Sequence, residues 1–325
     1  MYLREWAESR GFKVGWGPIS LLDDVGRDLA SRHEAGEFDE AFFREVMTSF
    51  TYQNELDWAW VRTVGVIVVP RPAHLLTFVL RGQPVEVVLP PTYLHYRRTT
   101  KETIAALNDE VAKGESHFVP LPAPLKALAA RLGLVWYGKN NITYTARTGS
   151  YHQLVGFASD LDLGPPAQPS PAVPAALPRC ASCSACQQAC PTNAIGADRF
   201  LLRAERCLTF LNESGDPWPS WLPPTAHNCL LGCLACQRAC PQNAGRLRLE
   251  RIASEFSADE TAALLAGQEE RDGRVWERLT EKLTSLGLEG YASLLGRNLR
   301  ALLPRLKLGQ AALTPAEGAA GGLGR

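Results

Sequence analysis

The residues best placed to do chemistry are nine cysteines, all between positions 180 and 240. They open with Cys180-Ala-Ser-Cys183-Ser-Ala-Cys186-Gln-Gln-Ala-Cys190-Pro191 and close with Cys233-Leu-Ala-Cys236-Gln-Arg-Ala-Cys240-Pro241. The first run has the C-x2-C-x2-C-x3-C-P spacing of [4Fe-4S] ligands. A thiol every three residues lets a short loop wrap a cubane and offer three sulfurs to three irons. The fourth Cys has by then turned away, so it serves the neighbouring cluster. The Pro after it fixes the exit of the chain. The chemistry on offer is one-electron transfer.

Each cluster takes four thiolates. By the crossing rule, Cys180, Cys183 and Cys186 hold the first cluster, and Cys240 crosses back to complete it. Cys190 crosses forward to join Cys233 and Cys236 on the second. One place stays open there, and two cysteines remain. Cys229 lies at C-x3-C from Cys233, and Cys207 stands alone in Arg206-Cys207-Leu208. Spacing does not choose between them. Other uses of the thiols fit less well. A disulfide framework suits neither the odd number nor the tight clustering. Zinc favours widely separated C-x2-C pairs.

These loops need a scaffold. A chain of 325 residues is too long for a ferredoxin alone and implies two or three domains. Formal net charge is zero, with 34 basic and 34 acidic residues. That removes the long-range field of a dedicated nucleic-acid or anionic-membrane binder. Nucleic acid is not an expected partner; Arg297, Arg300 and Arg305 are the one local patch where a salt-sensitive tRNA shift would show otherwise. No apolar run has the length of a membrane span. The first residues are charged and amphipathic rather than a leader. A cytoplasmic protein is expected.

The predicted fold class is α+β. Residues 1–163 form an α/β cofactor or substrate domain, and 164–178 a stiff Pro-rich linker. Residues 179–245 form a bacterial two-[4Fe-4S] ferredoxin-like domain, 246–309 a short helical segment, and 310–325 a disordered tail. Apolar spacing predicts helices near 18–33, 38–50, 99–113 (Thr100 as cap), 123–132 and 287–307. It predicts strands at 64–70, 75–80 and 85–89, the last two joined by a hairpin at 81–84. Gly138-Lys139-Asn140-Asn141 marks a tight turn into a strand, with a solvated Lys as its plain reading, and 152–160 is a further apolar segment. None of the six histidines has a spacing that marks it as a metal ligand.

Taken with the cysteines, several motifs resemble the epoxyqueuosine reductase family. They are Gly133-Leu-Val-Trp-Tyr-Gly-Lys-Asn140, Gly149-Ser150, Asp160-Leu-Asp-Leu163, Arg206-Cys207, Gly232-Cys233 to Asn243, and Gly296-Arg297-Asn298-Leu299. The resemblance covers about residues 55–305. It implies two [4Fe-4S] clusters beside a cobalamin, in a design related to reductive dehalogenases. It also implies that Cys207 completes the second cluster and that Cys229 is spare. The cobalamin would meet the backbone of Gly138, Lys139, Asn140 and Asn141, with Lys139 and Asn140 touching its polar groups. The clusters would take electrons from a small donor protein of flavodoxin or ferredoxin type, reduce the cobalt, and so reduce a substrate.

The chain departs from the family in one respect. The family places a proton-donating Asp in an Asp-Ser-Ala-Pro stretch before the Gly-Lys-Asn turn. Here that stretch reads Val119-Pro-Leu-Pro-Ala-Pro124, and no carboxylate occurs from Ser116 to Ser159. Tyr137, Tyr144 and Lys139 are replacements by residue type. The chain therefore reads as a divergent branch with a substrate of its own. Two other functions fit the cysteines. One is an electron-transfer protein whose α/β domain docks a partner enzyme without corrinoid. The other is a scaffold or sensor whose iron serves folding or oxidant response.

Overall fold

A computed structural model describes residues 2–50, 58–114, 117–164, 176–267 and 273–306. Most of the expected linker and the whole expected tail lie outside the described residues.

The chain opens with α1 (Leu3–Ser9), β1 (Lys13–Pro18), α2 (Leu21–Glu34) and α3 (Glu40–Val46). Next come β2 (Thr63–Pro70), β3 (Ala73–Leu80), β4 (Gln83–Leu89), α4 (Tyr96–Leu107) and β5 (Phe118–Pro120). Then follow α5 (Leu125–Arg131), β6 (Trp136–Tyr137), β7 (Thr143–Tyr144) and β8 (His152–Ser159). The main sheet has the order β1-β2-β8-β5 and is antiparallel throughout. The apolar run Val64–Val69 is buried along its whole length, as its composition requires. Val64, Val66 and Val68 face α2 and α5, while Ile67 and Val69 face α1 and α4. Period-2 alternation thus feeds two cores from one strand.

The sheet is flanked by helices on both faces, as expected of the α/β part, and two boundaries differ from the sequence reading. β1, rich in Gly and Pro, gives no strand signal. It exists because it pairs with β2, and Gly15 and Gly17 leave room for Leu134 and Leu21. α4 starts at Tyr96 rather than at a Thr100 cap. His95, in the left-handed region at φ 54°, precedes it and donates its N–H to Leu286 across the fold.

The hairpin β3–β4 leaves this sheet. β3 pairs in parallel with β9 (Leu249–Arg251). Leu76, Phe78, Val87 and Leu89 share a core with α9 (Ala258–Ala266), α10 (Arg274–Leu286) and α11 (Ala292–Leu306). α9 begins with a full capping box, Ser257 with Glu260, which the sequence reading passed over. Gly296 lets α11 lie directly on α9, because a Cβ there would fall onto the Leu264 carbonyl oxygen. Gly→Ala in a helix normally stabilises by up to about 1 kcal/mol. Here Gly296→Ala is expected to destabilise by about 2–3 kcal/mol through overpacking. A denaturation midpoint at or above that of the parent would contradict this contact.

His152, at the start of β8, is buried between Thr143 and Thr148. Burial first, then Lys13, pulls its pKa from 6.5 down to about 4, against a bond to Gly149. The folded chain therefore binds fewer protons than the unfolded chain between those values. This contribution is intact above pH 6.5 and is lost as pH falls toward 4. The cost there is about 3 kcal/mol. His152→Gln should flatten the decline of stability between pH 6.5 and 4, read from denaturant midpoints. An unchanged slope would assign the decline to other groups.

Candidate metal centre

Both cysteine runs fold alike. The first passes through a 3-10 turn at Pro178–Cys180 into α6 (Ala185–Ala189), which carries Cys186. Cys190 then leaves the helix in extended geometry, φ −73° and ψ 114°, just before Pro191. The second passes through α8 (Ala235–Arg238), which carries Cys236. Cys240 leaves it at φ −74° and ψ 123°, just before Pro241. α6 packs on α8. Each terminal Cys is thus released from its own helix toward the other run. A residue before Pro is driven to extended backbone, so the Cys-Pro pairs encode the crossover.

The thiols fall into two neighbourhoods. Burial raises the Cys186 thiol, and Cys240, Cys180 and Cys183 raise it further. Burial pushes the Cys236 thiol well above its ordinary range, and Cys233, Cys207 and Cys190 add to the push. Cys233 rises to about 11, chiefly by burial, with Cys207 and Cys190 contributing. These three thiols feel two separate groups of neighbours, drawn from both runs. Clusters bind thiolates, so filling these sites would release protons. Among the described residues, no three Cys, His, Asp or Glu side chains close on a single ion. A cubane, which holds its ligands apart at its corners, needs no such convergence.

Cys207 stands immediately before α7 (Leu208–Glu213), in extended backbone, and neighbours Cys190, Cys233 and Cys236. Burial raises its thiol, against bonds from Thr209 and Phe210. Cys229 faces elsewhere. It is buried beside Ala73, Val88, Tyr151 and Leu234, and its thiol donates to Asn228 Oδ1 at 3.3 Å. Asn228 in turn donates through Nδ2 to Cys233 Sγ at 3.1 Å, and the Ala235 N–H reaches the same sulfur at 3.4 Å. Ala194 N–H donates to Cys190 Sγ at 3.3 Å. Bonds of this kind stabilise negative charge on sulfur and tune a cluster's potential.

The α/β part reaches the cysteines through the turn between β6 and β7. Asn141 sits at φ 57°, and its N–H closes the turn on the Gly138 carbonyl. Gly138 is required by space, since a Cβ would lie 2.5 Å from Asn140 Oδ1 and 2.6 Å from the Tyr144 ring. Lys139 Nζ donates to the Cys183 carbonyl at 2.7 Å. Asn140 Nδ2 donates to the Tyr144 hydroxyl at 2.9 Å. Lys139, Asn140 and Tyr144 line one recess with Cys180, Cys183, Cys186 and Cys240. The Asn141 carbonyl accepts from Lys126 Nζ at 3.2 Å, while Asn141 Nδ2 is buried without a partner. Tyr137 lies buried away from this recess, edge-on to Phe200. Burial raises the phenols of Tyr137 and Tyr144 far above their ordinary range.

A second junction involves Gly149 and Ser150. Ser150 N–H donates to Asn243 Oδ1 at 2.9 Å, and Asn243 Nδ2 returns to Ser150 Oγ at 2.8 Å and to the Gln237 carbonyl at 2.7 Å. Gly149, at φ 57°, leaves the space Asn243 occupies. A third junction joins Asn298, part of the Gly296–Leu299 motif, to Asn212, which the sequence reading passed over. Asn298 on α11 donates to the Asn212 and Leu230 carbonyls at 2.9 and 3.0 Å. Asn212 donates to the Gly232 carbonyl at 3.0 Å. Buried amides cost free energy unless bonded, so Asn in a Cys-rich apolar stretch was a usable signal. Arg297, Arg300 and Arg305 all donate to backbone carbonyls, at Asp216, Leu265 and Thr225 respectively. That engages the three arginines in holding α11 to its neighbours.

These geometries define the class, a protein with a double-cluster iron-sulfur domain. Residues 179–243 match the 4Fe-4S double cluster binding domain family. The relatives are epoxyqueuosine reductases. The chain is 36% identical to that of Pseudomonas aeruginosa over 90 residues, which is 28% of this chain and 23% of the relative. It is 27% identical to that of Vibrio cholerae over 64% of this chain and 57% of the relative. These matches span less than two thirds of either relative's length. A solved epoxyqueuosine reductase, in complex with an epoxyqueuosine-modified tRNA stem loop, has the same fold. It superposes with a TM-score of 0.64 at 21% identity, over 93% of this chain and 80% of that one. The resemblance read from the motifs therefore holds in sequence and in fold. Among the described residues, no helix is long and apolar enough to cross a membrane.

Proposed function

We propose that this chain is an iron-sulfur reductase in which two interlaced [4Fe-4S] clusters deliver electrons to a cobalamin seated against the 138–144 turn. The observation that carries this reading is the turn itself, which connects the α/β part directly to the first thiol set. An α/β layer of this size is not needed for electron transfer alone. The unpartnered, buried Asn141 Nδ2 suits an acceptor such as a corrin amide carbonyl. In this reading Cys180, Cys183, Cys186 and Cys240 hold one cluster, and Cys190, Cys207, Cys233 and Cys236 the other. When bound, cobalamin supplies a reduced metal able to break a substrate bond. The chain's own residues would hold and orient it. Lys139 fixes the turn to the Cys183 loop, and Asn140 orients the Tyr144 hydroxyl.

The proton source would differ from the family's. A general acid works best with a pKa near the operating pH. The raised phenols of Tyr137 and Tyr144 make both poor acids. With no carboxylate between Ser116 and Ser159, the substrate is expected to differ from epoxyqueuosine. The tRNA-borne nucleoside of the structural relative is still the first substrate to assay.

The test is anaerobic reconstitution with iron and sulfide, followed by cob(II)alamin. A shift of the corrinoid bands and co-elution with the protein are expected. Unshifted bands with no co-elution would leave an electron-transfer protein without corrinoid.

A further inference from the structure

Charge in this chain balances overall but not locally. No Asp or Glu occurs in residues 117–159, 163–197 or 217–249. These segments supply the turn against the first thiol set and the whole of both cysteine runs. Their cations include Arg147, Arg179, Arg238, Arg246 and Arg248, all exposed. Among the described residues, no carboxylate forms an ion pair with any of them.

Contacts join several of these arginines into one face. Arg179 donates to Gln242 Oε1 at 3.0 Å. A Cβ on Gly149 would lie 3.1 Å from both the Gln242 carbonyl and the Arg246 side chain, so the two residues flank one glycine. Arg246 Nη2 donates to the Ala146 carbonyl at 3.2 Å, next to Arg147. Arg238 ends α8, one residue from Gln237, which bonds Ser150. The face borders the recess of the first thiol set, because Gln242 and Pro241 line that recess. Between the cysteines that line that recess, the intervening residues Ala181, Ser182 and Ser184 are small and exposed.

We propose that this arginine face is where a small acidic electron-transfer protein docks to reduce the first cluster. A cationic surface steers an anionic partner and speeds encounter. Small side chains over the thiol loop let a donor's cofactor come close, whereas a nucleic-acid site would gain nothing from them. One electron leaves the donor's reduced flavin and one ferric site of the cluster becomes ferrous. No bond is made or broken. The inference rests on the clusters and not on the corrinoid, so it stands or falls apart from the reductase reading.

The test follows cluster bleaching by stopped flow, without corrinoid, using a fully reduced acidic flavodoxin. The comparison is the parent chain with the double variant Arg179→Glu, Arg246→Glu. At low salt the variant should be reduced roughly tenfold more slowly, and the parent rate should fall steeply as salt rises. Dithionite should reduce both proteins equally, which shows that the clusters are intact. Equal flavodoxin rates in the two proteins would overturn the proposal. Equal rates combined with loss of a tRNA gel shift would assign the face to nucleic acid.

Discussion

Cys207→Ala is expected to strip iron from the second cluster and leave the first in place, whereas Cys229→Ala keeps both. The two cysteines are alike in sequence terms, and burial raises both thiols. Cys233 adds to the rise of Cys229 as well, so the distinction between Cys207 and Cys229 lies in their packing and in the number of thiols they meet. Cys207 adds to the push on both Cys233 and Cys236, as a member of one ligand set must. Cys229 points into an apolar pocket, with its hydrogen on Asn228, and behaves as a small core residue. Its loss to Ala should cost only packing. Iron and acid-labile sulfide should fall to about half in Cys207→Ala. The reverse pattern would show that Cys229 is the ligand.

The second large effect is a crosswise one. Cys240 belongs to the second run in sequence, yet it stands with Cys180, Cys183 and Cys186 in space. Cys240→Ser should therefore damage the first cluster, and the reduced EPR spectrum should match that of Cys183→Ser. Cys190→Ser should instead match Cys233→Ser. If each serine variant damages only the cluster wrapped by its own run, the interlaced arrangement is wrong.

Much of the site could be read along the chain, because metal ligation demands local spacing. The Cys-x2-Cys steps and the two Cys-Pro exits are properties of consecutive residues, so they can be read without knowing the fold. The valine-rich Val64–Val69 strand was legible for the same reason. What depends on distant partners was not. Spacing could not choose between Cys207 and Cys229, because the choice depends on which one the second run approaches; only the family resemblance pointed to Cys207. β1 is a strand only because β2 lies beside it, and the start of α4 is set by a bond from His95 to Leu286. The Asn212 and Asn298 amides bond backbone carbonyls far away in sequence, a pattern that no periodicity encodes. The missing carboxylate was visible from Ser116 to Ser159. Only the folded chain joins that stretch to two other carboxylate-free segments.

The most direct test of the account is the metal content of protein purified without oxygen, with the EPR spectrum of its reduced form. Two interlaced cubes predict about eight irons and about eight sulfides per chain, and a spectrum split by two neighbouring paramagnets. About four irons or fewer, or zinc in place of iron, would contradict it.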